Sequence, residues 1–367
     1  MRVVSVQLRD FRTYTRAEAA LGEGLTVVHG ANGAGKSNLL EAIYFGCSGR
    51  SPRTRNEREL VRFGQPATRV GISLSDGEHK HELSVGFEPG QPKRMSLDGA
   101  PVERLLDVED RPLLSMFMPD RLELLKGPPS VRRAHLDQVI AGLWPLRAAD
   151  RLAYSRVLAQ RNALLARIRS GRATRESISP WDLQLARHAL ALRDNRAHAV
   201  ALLAEPFAER TVQLGLTGEA RLAYRPRTNA GDEQTLVSEL RERLDGDLER
   251  GFSGHGPHRD ELTLTRDGRE LRSYGSQGEQ RIALLALLLA ERAVLARERA
   301  RVPLMLLDDV MSELDAERRE LLADELASAG QSVIATTDLG HVPGATAPGV
   351  TRLRVSRGAI LREALAA

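Results

Sequence analysis

Apolar and polar residues change their period along this chain, and the changes mark out its elements. The opening run, MRVVSVQLRDF, alternates as a half-buried strand does. A β-branched apolar run at residues 25–29 reads as a second strand, and in SNLLEAIYFG (37–46) the apolar residues recur at helical spacing. Residues 69–75 and 81–87 alternate again, with Ser75-Asp76-Gly77 as turn chemistry between them. Up to about Pro119 the chain therefore predicts mainly strands after its first helix.

From about Pro119 the period becomes helical. Residues 121–126, 131–143, 146–170 and 180–216 carry Leu and Ala three and four apart, broken at Gly127-Pro128-Pro129, Gly171 and Pro180. The segments flanking 171–179 predict an antiparallel helical hairpin, too short for an extended coiled-coil arm. A strand at 222–227, an amphipathic helix over 232–250 and a strand at 261–265 follow. Then come a Ser/Gly turn with a long Leu/Ala helix (273–296), four apolar residues closing on an acid (304–308), and a strand-like run (333–338).

The segment between the 25–29 strand and the 37–46 helix is GANGAGKS. In Gly30-Ala31-Asn32-Gly33-Ala34-Gly35-Lys36-Ser37 the glycines let successive backbone N–H groups point at phosphate oxygens. Lys36 is placed to reach the β and γ phosphates, and the Ser37 hydroxyl to ligate magnesium. A strand before this loop and a helix after it is the context a phosphate loop needs. ATP with Mg2+ is the expected cofactor pair, and the fold class is α/β.

Asp308 closes the later apolar strand, which delivers a carboxylate to the sheet edge where ligands gather in open α/β sheets. It is the expected magnesium anchor. Asp309 follows at a position from which it would polarise a water attacking the γ-phosphate. The plainer reading makes both acids caps for the helix that begins near Asp315. Between the two phosphate-site segments lie 270 residues, far more than one βαβ unit holds. A large piece is thus inserted into one head: residues 1–119 and 251–367 form the discontinuous head, and 120–250 an inserted compact helical lobe.

Composition narrows the class. The chain has 367 residues, 42% of them hydrophobic and 28% charged, which suits a globular protein of two or more folding units. No apolar stretch of about eighteen residues exists to span a bilayer, and the N-terminus lacks the apolar core of a secretory signal, so a cytoplasmic protein without a membrane partner is expected. The single cysteine, Cys47, excludes an internal disulfide and reads as core packing. Net charge is +4 and 49 of 53 basic residues are arginine, weak support for nucleic-acid binding.

Ser276 and Gly278, at the N-terminus of the 273–296 helix, would offer a hydroxyl, backbone N–H groups and a positive dipole end to an anion. An equally simple reading makes Ser276 an N-cap with Glu279 completing a capping box. Taken with the two phosphate-site segments, this turn resembles the signature of ABC-type ATPase heads in chromosome-maintenance and recombination proteins. The resemblance implies an ABC-type P-loop ATPase head of mixed sheets with helices. In it GSQGE (275–279) closes on the γ-phosphate held by a second subunit, and SELD (312–315) is the loop that crosses the dimer interface. Thr337 falls at the end of the switch strand, where transporters carry histidine.

Within that superfamily the chain resembles the RecF family of bacterial gap-repair recombination mediators over nearly its full length. The resemblance rests on LRDFRTY (8–14), the phosphate loop, RSPRT (50–54), KGPPSVRRAHLD (126–137), GHGPHRDEL (254–262), YGSQGEQR and LLDDVMSELD, in that order. It implies that Arg12 touches nucleotide phosphates and that Asp309 positions the attacking water, since the family uses Asp-Asp. It also implies a slow, DNA-dependent ATPase that dimerises with ATP bound, favours duplex DNA near single-strand gaps, and works with RecR and RecO to place RecA. Rival readings are an ATP-gated protein-interaction scaffold and a transporter-type subunit.

Other features have mixed readings. Residues 50–69 hold six arginines and two glutamates, with Arg50, Arg53 and Thr54 facing nucleotide, DNA or solvent. Residues 145–175 carry eight arginines against one aspartate, either phosphate contacts or a solvated helix face. His255 and His258 lack metal-site spacing; their loop is expected to order the lobe–head interface through Arg259 and Asp260.

Overall fold

The computed structural model describes residues 1–54, 56–105, 108, 111–118, 122–328 and 330–363. Its contacts divide the chain into two compact units, residues 1–121 with 213–215 and 295–367, and residues 122–212 with 216–294.

The first unit has two six-stranded sheets. In the antiparallel one the order is β2 (Tyr14–Ala20), β1 (Arg2–Phe11), β4 (Thr68–Ser75), β5 (Lys80–Phe87), β6 (Arg94–Leu97) and β7 (Ala100–Pro101). The other runs β15 (Ala359–Arg362), β14 (Thr351–Ser356), β3 (Leu25–His29), β13 (Ser332–Thr336), β12 (Leu304–Asp308) and β8 (Leu114–Phe117), parallel except for the β14–β15 hairpin. Helix α1 (Lys36–Ser48) touches β1, β4 and β5 of the first sheet and β12 and β13 of the second. That placement explains its composition: Leu39, Leu40, Ala42, Ile43, Phe45 and Cys47 are all fully buried, as a helix covered on both sides requires. Burial also pushes the Cys47 thiol up to about 12, so it packs as an inert apolar group. Gly46 sits where α1 meets β4; a Cβ there would lie 2.5 Å from Ile72 Cγ1.

The second unit is mainly helical. It contains α2 (Glu123–Lys126), α3 (Pro129–Leu143), α4 (Ala148–Arg169), α5 (Ser179–Gln213), α6 (Glu233–Glu242), α7 (Leu244–Arg250) and α8 (Leu271–Tyr274). The expected hairpin is α4 with α5: Tyr154 and Val157 pack on Leu185, Ala186 and Ala189, and α6 adds Leu236 and Leu240. A small antiparallel sheet places β10 (Glu261–Arg266) between β9 (Ala220–Arg225) and β11 (Arg269–Glu270).

That sheet moves the unit boundary from its expected place. Residues 261–266 pair with 220–225, so the chain after residue 250 stays with the second unit. The return to the first unit comes inside the long helix α9 (Gln277–Arg299), between Val294 and Leu295. The other expected boundary, at 119/120, lies outside the described residues. The single helix expected over 232–250 is α6 and α7, split at Arg243.

At the centre of the second unit Arg161 is fully buried. Its Nε donates to Asp182 Oδ1 at 2.7 Å, and its Nη1 to Asp247 Oδ2 at 2.8 Å and Ser253 Oγ at 2.7 Å. Arg161→Ala would leave the buried Asp182 without its hydrogen-bonded cation and Asp247 with Arg250 alone, a change that costs about 3–5 kcal/mol. Urea unfolding of this variant should show a loss of that order, and a loss under 1 kcal/mol would mean the network is dispensable.

Candidate nucleotide site

Strand β3 leads into the phosphate loop, and its neighbours in the sheet bring the other chemistry to the same edge. Thr336 lies opposite His29 and Asp308 opposite Ala335, so β3, β13 and β12 finish side by side. The loop's glycines answer to specific contacts. Gly30 has φ 153°, and a Cβ on it would lie 2.2 Å from the Val355 carbonyl oxygen of β14. At Gly35, φ is 115° and a Cβ would lie 3.0 Å from the Tyr14 hydroxyl. No side chain fits either place. The buried Tyr14 hydroxyl donates to Gly35 O at 2.9 Å, and burial raises its pKa, so it stays a donor at neutral pH.

Ala31, Asn32 and Gly33 form the exposed rim of the loop, with Ala34 half-buried behind them. Lys36 is the first residue of α1. Its Nζ donates to Gly30 O at 2.8 Å and Ala31 O at 3.0 Å, so the ammonium lies inside the curl of the loop. Burial pulls its pKa down while Asp309 and Asp308 push it up.

The two acids after β12 differ in environment. Asp308 is buried, and Oδ1 accepts from Ser37 Oγ at 2.9 Å, joining the strand end to the first turn of α1 across 271 residues of sequence. Burial raises its pKa, against the Ser37 hydrogen bond and the charge of Arg53. Asp309 is held in the left-handed region at φ 48°, its N–H bonded to Ala335 O at 3.0 Å, and its buried Oδ1 has no hydrogen-bond partner among the described residues. A strained residue with an unsatisfied carboxylate oxygen at a sheet edge is a mark of a functional position. Neither acid caps α10 (Ala316–Ser328); that is done by Asp315, whose Oδ1 accepts from Arg318 N at 3.0 Å. Ser312 Oγ donates to Asp309 O at 2.8 Å, tying the following turn to the strained residue.

Arg12 is placed by a residue that sequence reasoning missed. Glu41, in the middle of α1, is fully buried. It accepts from Arg12 Nε and Nη2 at 2.9 Å each, from Ser51 Oγ at 2.6 Å, and from Arg53 Nη1 at 3.4 Å. Arg53 Nη1 also donates to Asn38 Oδ1 at 3.0 Å, and Asn38 Nδ2 to Thr13 Oγ1 at 3.1 Å. The available signal was a carboxylate inside an apolar helical stripe, which demands a cationic partner. Of the RSPRT arginines, Arg53 thus belongs to the phosphate-loop side, while Arg50 is exposed.

Thr337 is exposed at the end of β13, beside the buried Thr336. Ser276 and Gly278 belong to the second unit, both exposed at the start of α9. The capping box is present there: Ser276 N donates to Glu279 Oε2 at 2.7 Å and Glu279 N to Ser276 Oγ at 3.3 Å, with Arg266 pairing to Glu279. The Ser276 N–H and the Arg266 charge hold the Glu279 pKa low.

The remaining expectations resolve as structure. Asp260 accepts from Tyr224 OH and Arg227 N, and Arg259 lies over Phe252, so GHGPHRDE orders the second unit internally rather than its boundary with the first. His255 pairs with Glu239, and His258 lies between Tyr154 OH and Ser253 O. In the 145–175 stretch Arg147, Arg151, Arg161 and Arg175 have Trp144 or acidic partners, while Arg156, Arg167 and Arg172 are exposed. Among the described residues no helix is long and apolar enough to cross a membrane.

Comparison with known proteins agrees with this geometry. The RecF/RecN/SMC N terminal domain family matches residues 2–347. The DNA replication and repair protein RecF of Acidothermus cellulolyticus is 37% identical, over 91% of this chain and 93% of that protein. The RecF of Kineococcus radiotolerans is 35% identical over 99% of this chain and 100% of its own. A solved structure of the recombination mediator protein RecF with ATP, from the RecFOR pathway, superposes with a TM-score of 0.89 at 26% identity, covering 99% of this chain and 97% of that one. An Smc head bound to the C-winged helix domain of ScpA, 16% identical, superposes at 0.60 over 100% of this chain and 98% of its own, and shares the fold. The architecture is that of an ABC-type ATPase head.

The raised pKa of Asp308 has a measurable sign. An acid whose folded pKa exceeds its unfolded value gives stability that is present below the unfolded pKa, about 3.9, and lost as pH rises through the folded one. Asp308→Asn keeps an oxygen for Ser37 and removes that loss. Chemical unfolding should therefore find the variant more stable than the parent at neutral pH, with the gap closing toward pH 4, while divalent-cation-dependent nucleotide binding weakens. A variant less stable than the parent at pH 7 would contradict this account.

Proposed function

The chain belongs to the RecF family of DNA replication and repair proteins, and on that premise we propose that it is an ATP-gated DNA-binding recombination mediator. The observation that carries the nucleotide part is the Ser37–Asp308 hydrogen bond of 2.9 Å, which puts a hydroxyl and a buried carboxylate at the mouth of the phosphate loop. These hard oxygen donors fit Mg2+, which prefers carboxylate and phosphate oxygens and keeps several waters. Gly30 to Ser37 would hold the triphosphate, with Lys36 moving from its loop carbonyls to the β and γ phosphates. The ATP-bound RecF relatives, similar over almost the whole chain, support ATP as the ligand. When bound, the metal supplies charge neutralisation on the transferring phosphate.

Hydrolysis then rests on Asp309. Its unpartnered Oδ1 is an acceptor for a water at the strand edge, and its strained backbone fixes the direction of that oxygen. Arg12, with both Nε and Nη2 on Glu41, acts as a strut beside the loop; Thr337 stands at the adjacent strand end as the γ-phosphate contact. Ser276 and Gly278, exposed at the N-terminus of α9, act on the nucleotide of a second copy, so ATP joins two chains head to tail. ATP holds the dimer on DNA near single-strand gaps, slow DNA-dependent hydrolysis releases it, and the protein works in the cytoplasm with RecR and RecO in loading RecA. The pathway named for its relatives supports this last step.

The test combines variants. Lys36→Met should abolish ATP-driven dimerisation, and Ser276→Arg should abolish it while leaving monomeric ATP binding intact. Mixed together, the two should restore at most one composite site, visible as partial dimer in analytical ultracentrifugation. Should Ser276→Arg still dimerise with ATP and lose only about 1 kcal/mol in denaturation, Ser276 is a helix cap and the composite site is wrong.

Asp309→Asn should keep ATP bound and the dimer intact while turnover falls at least a hundredfold, the order expected for loss of a general base. Turnover at the parent rate in a phosphate-release assay would reduce Asp309 to a structural residue.

A further inference from the structure

Phe63 is 100% exposed, the most exposed large apolar side chain among the described residues. It is not on a loose tail. Gln65 N–H bonds to Arg62 O at 3.0 Å, closing a turn with Phe63 and Gly64 (φ 81°) at its tip. The base of the turn is fastened at several points: Arg62 N–H to Asp10 O at 2.8 Å, Arg12 N–H to Leu60 O at 2.8 Å, and a bridge between Val61 and Phe11. A fully exposed aromatic is thus carried on an anchored backbone turn, and no described residue covers its ring.

Charge along residues 50–69 is unbalanced. Of the two glutamates in residues 50–69, Glu57 pairs with Lys93 at 2.6 Å and Glu59 lies 3.8 Å from Arg12. Arg53 is committed to Glu41 and Asn38, and Arg69 to Ser84. Arg50, Arg58 and Arg62 have no acidic partner among the described residues. An exposed aromatic on an anchored turn, in a segment whose Arg50, Arg58 and Arg62 lack acidic partners, matches nucleic acid, whose phosphates take the cations and whose bases offer π-faces. Inside a continuous duplex those faces are stacked on each other. They become available where a duplex meets a single strand.

We propose that the 62–65 turn is a DNA contact surface that recognises the junction between duplex and single strand, with Phe63 stacking on the first exposed base and Arg58 and Arg62 on the flanking phosphates. This rests on the reading of the chain as a DNA-binding protein and names the part of it that selects the gap.

The test uses full-length protein with ATP, gapped DNA carrying 2-aminopurine at the first unpaired position, and a closed circular duplex without ends. Phe63→Ala should bind the gapped DNA roughly five- to a hundredfold more weakly, the range that one lost base stack produces, and leave closed-duplex affinity unchanged. Phe63→Trp should restore binding and quench 2-aminopurine. Arg58→Ala with Arg62→Ala should weaken both DNAs and lower the slope of log affinity against log salt by about 2. Thermal unfolding of each variant should match the parent, because these side chains cover nothing. Equal binding of both DNAs by the parent and Phe63→Ala would overturn the proposal, as would loss of ATP-dependent dimerisation in Phe63→Ala, which would make the turn a face between copies. A parent protein that binds neither DNA would instead overturn the DNA-binding reading itself.

Discussion

One carboxylate inside a helix covered on both sides constrains much of the first unit. Helix α1 lies between two sheets and is apolar for that reason, yet it carries Glu41 with no exposed surface. A bare charge in such a place is intolerable, so the chain brings guanidinium groups to it from the turn between β1 and β2 and from the turn after α1. Meeting that demand fixes the end of β1, where Arg12 takes φ 50°, and fixes the 51–54 turn through Ser51. Phosphate loop, first strand and arginine turn are therefore one rigid assembly rather than neighbours.

The acids at the end of β12 show how one sheet edge gives adjacent residues different properties. Asp308 continues the strand and is buried, so its charge is costly until an opposing charge arrives. Asp309 leaves the strand through a left-handed turn at φ 48°, and both acids act on the Lys36 charge. An ordinary extended residue at 309 would have placed its side chain on the opposite face of the sheet. The strain is thus what lets successive acids serve one site.

Much of this site was legible because its signals are local. The phosphate loop, its flanking strand and helix, and the acid-terminated β12 each announce themselves within ten residues of sequence. What escaped depends on partners far apart in the chain. Glu41 makes sense only once Arg12 and Arg53 are beside it. β8 is four residues that gain meaning by pairing with β12, and the 220–225 strand carries residues 251–294 into the second unit because it pairs with β10. Ser276 is open to two readings: a capping box and an anion-binding helix end use the same hydroxyl and the same dipole, and the geometry of one copy contains the first without opposing the second.

Lys36 resting on the carbonyls of Gly30 and Ala31 has a kinetic corollary. A lysine left bare in a partly buried loop would cling to any anion that reached it, products included. Here the loop itself offers the ammonium an internal resting place, so any anion must compete with the carbonyls of Gly30 and Ala31 for it. The ammonium is therefore solvated from within, by two backbone oxygens of the loop it serves.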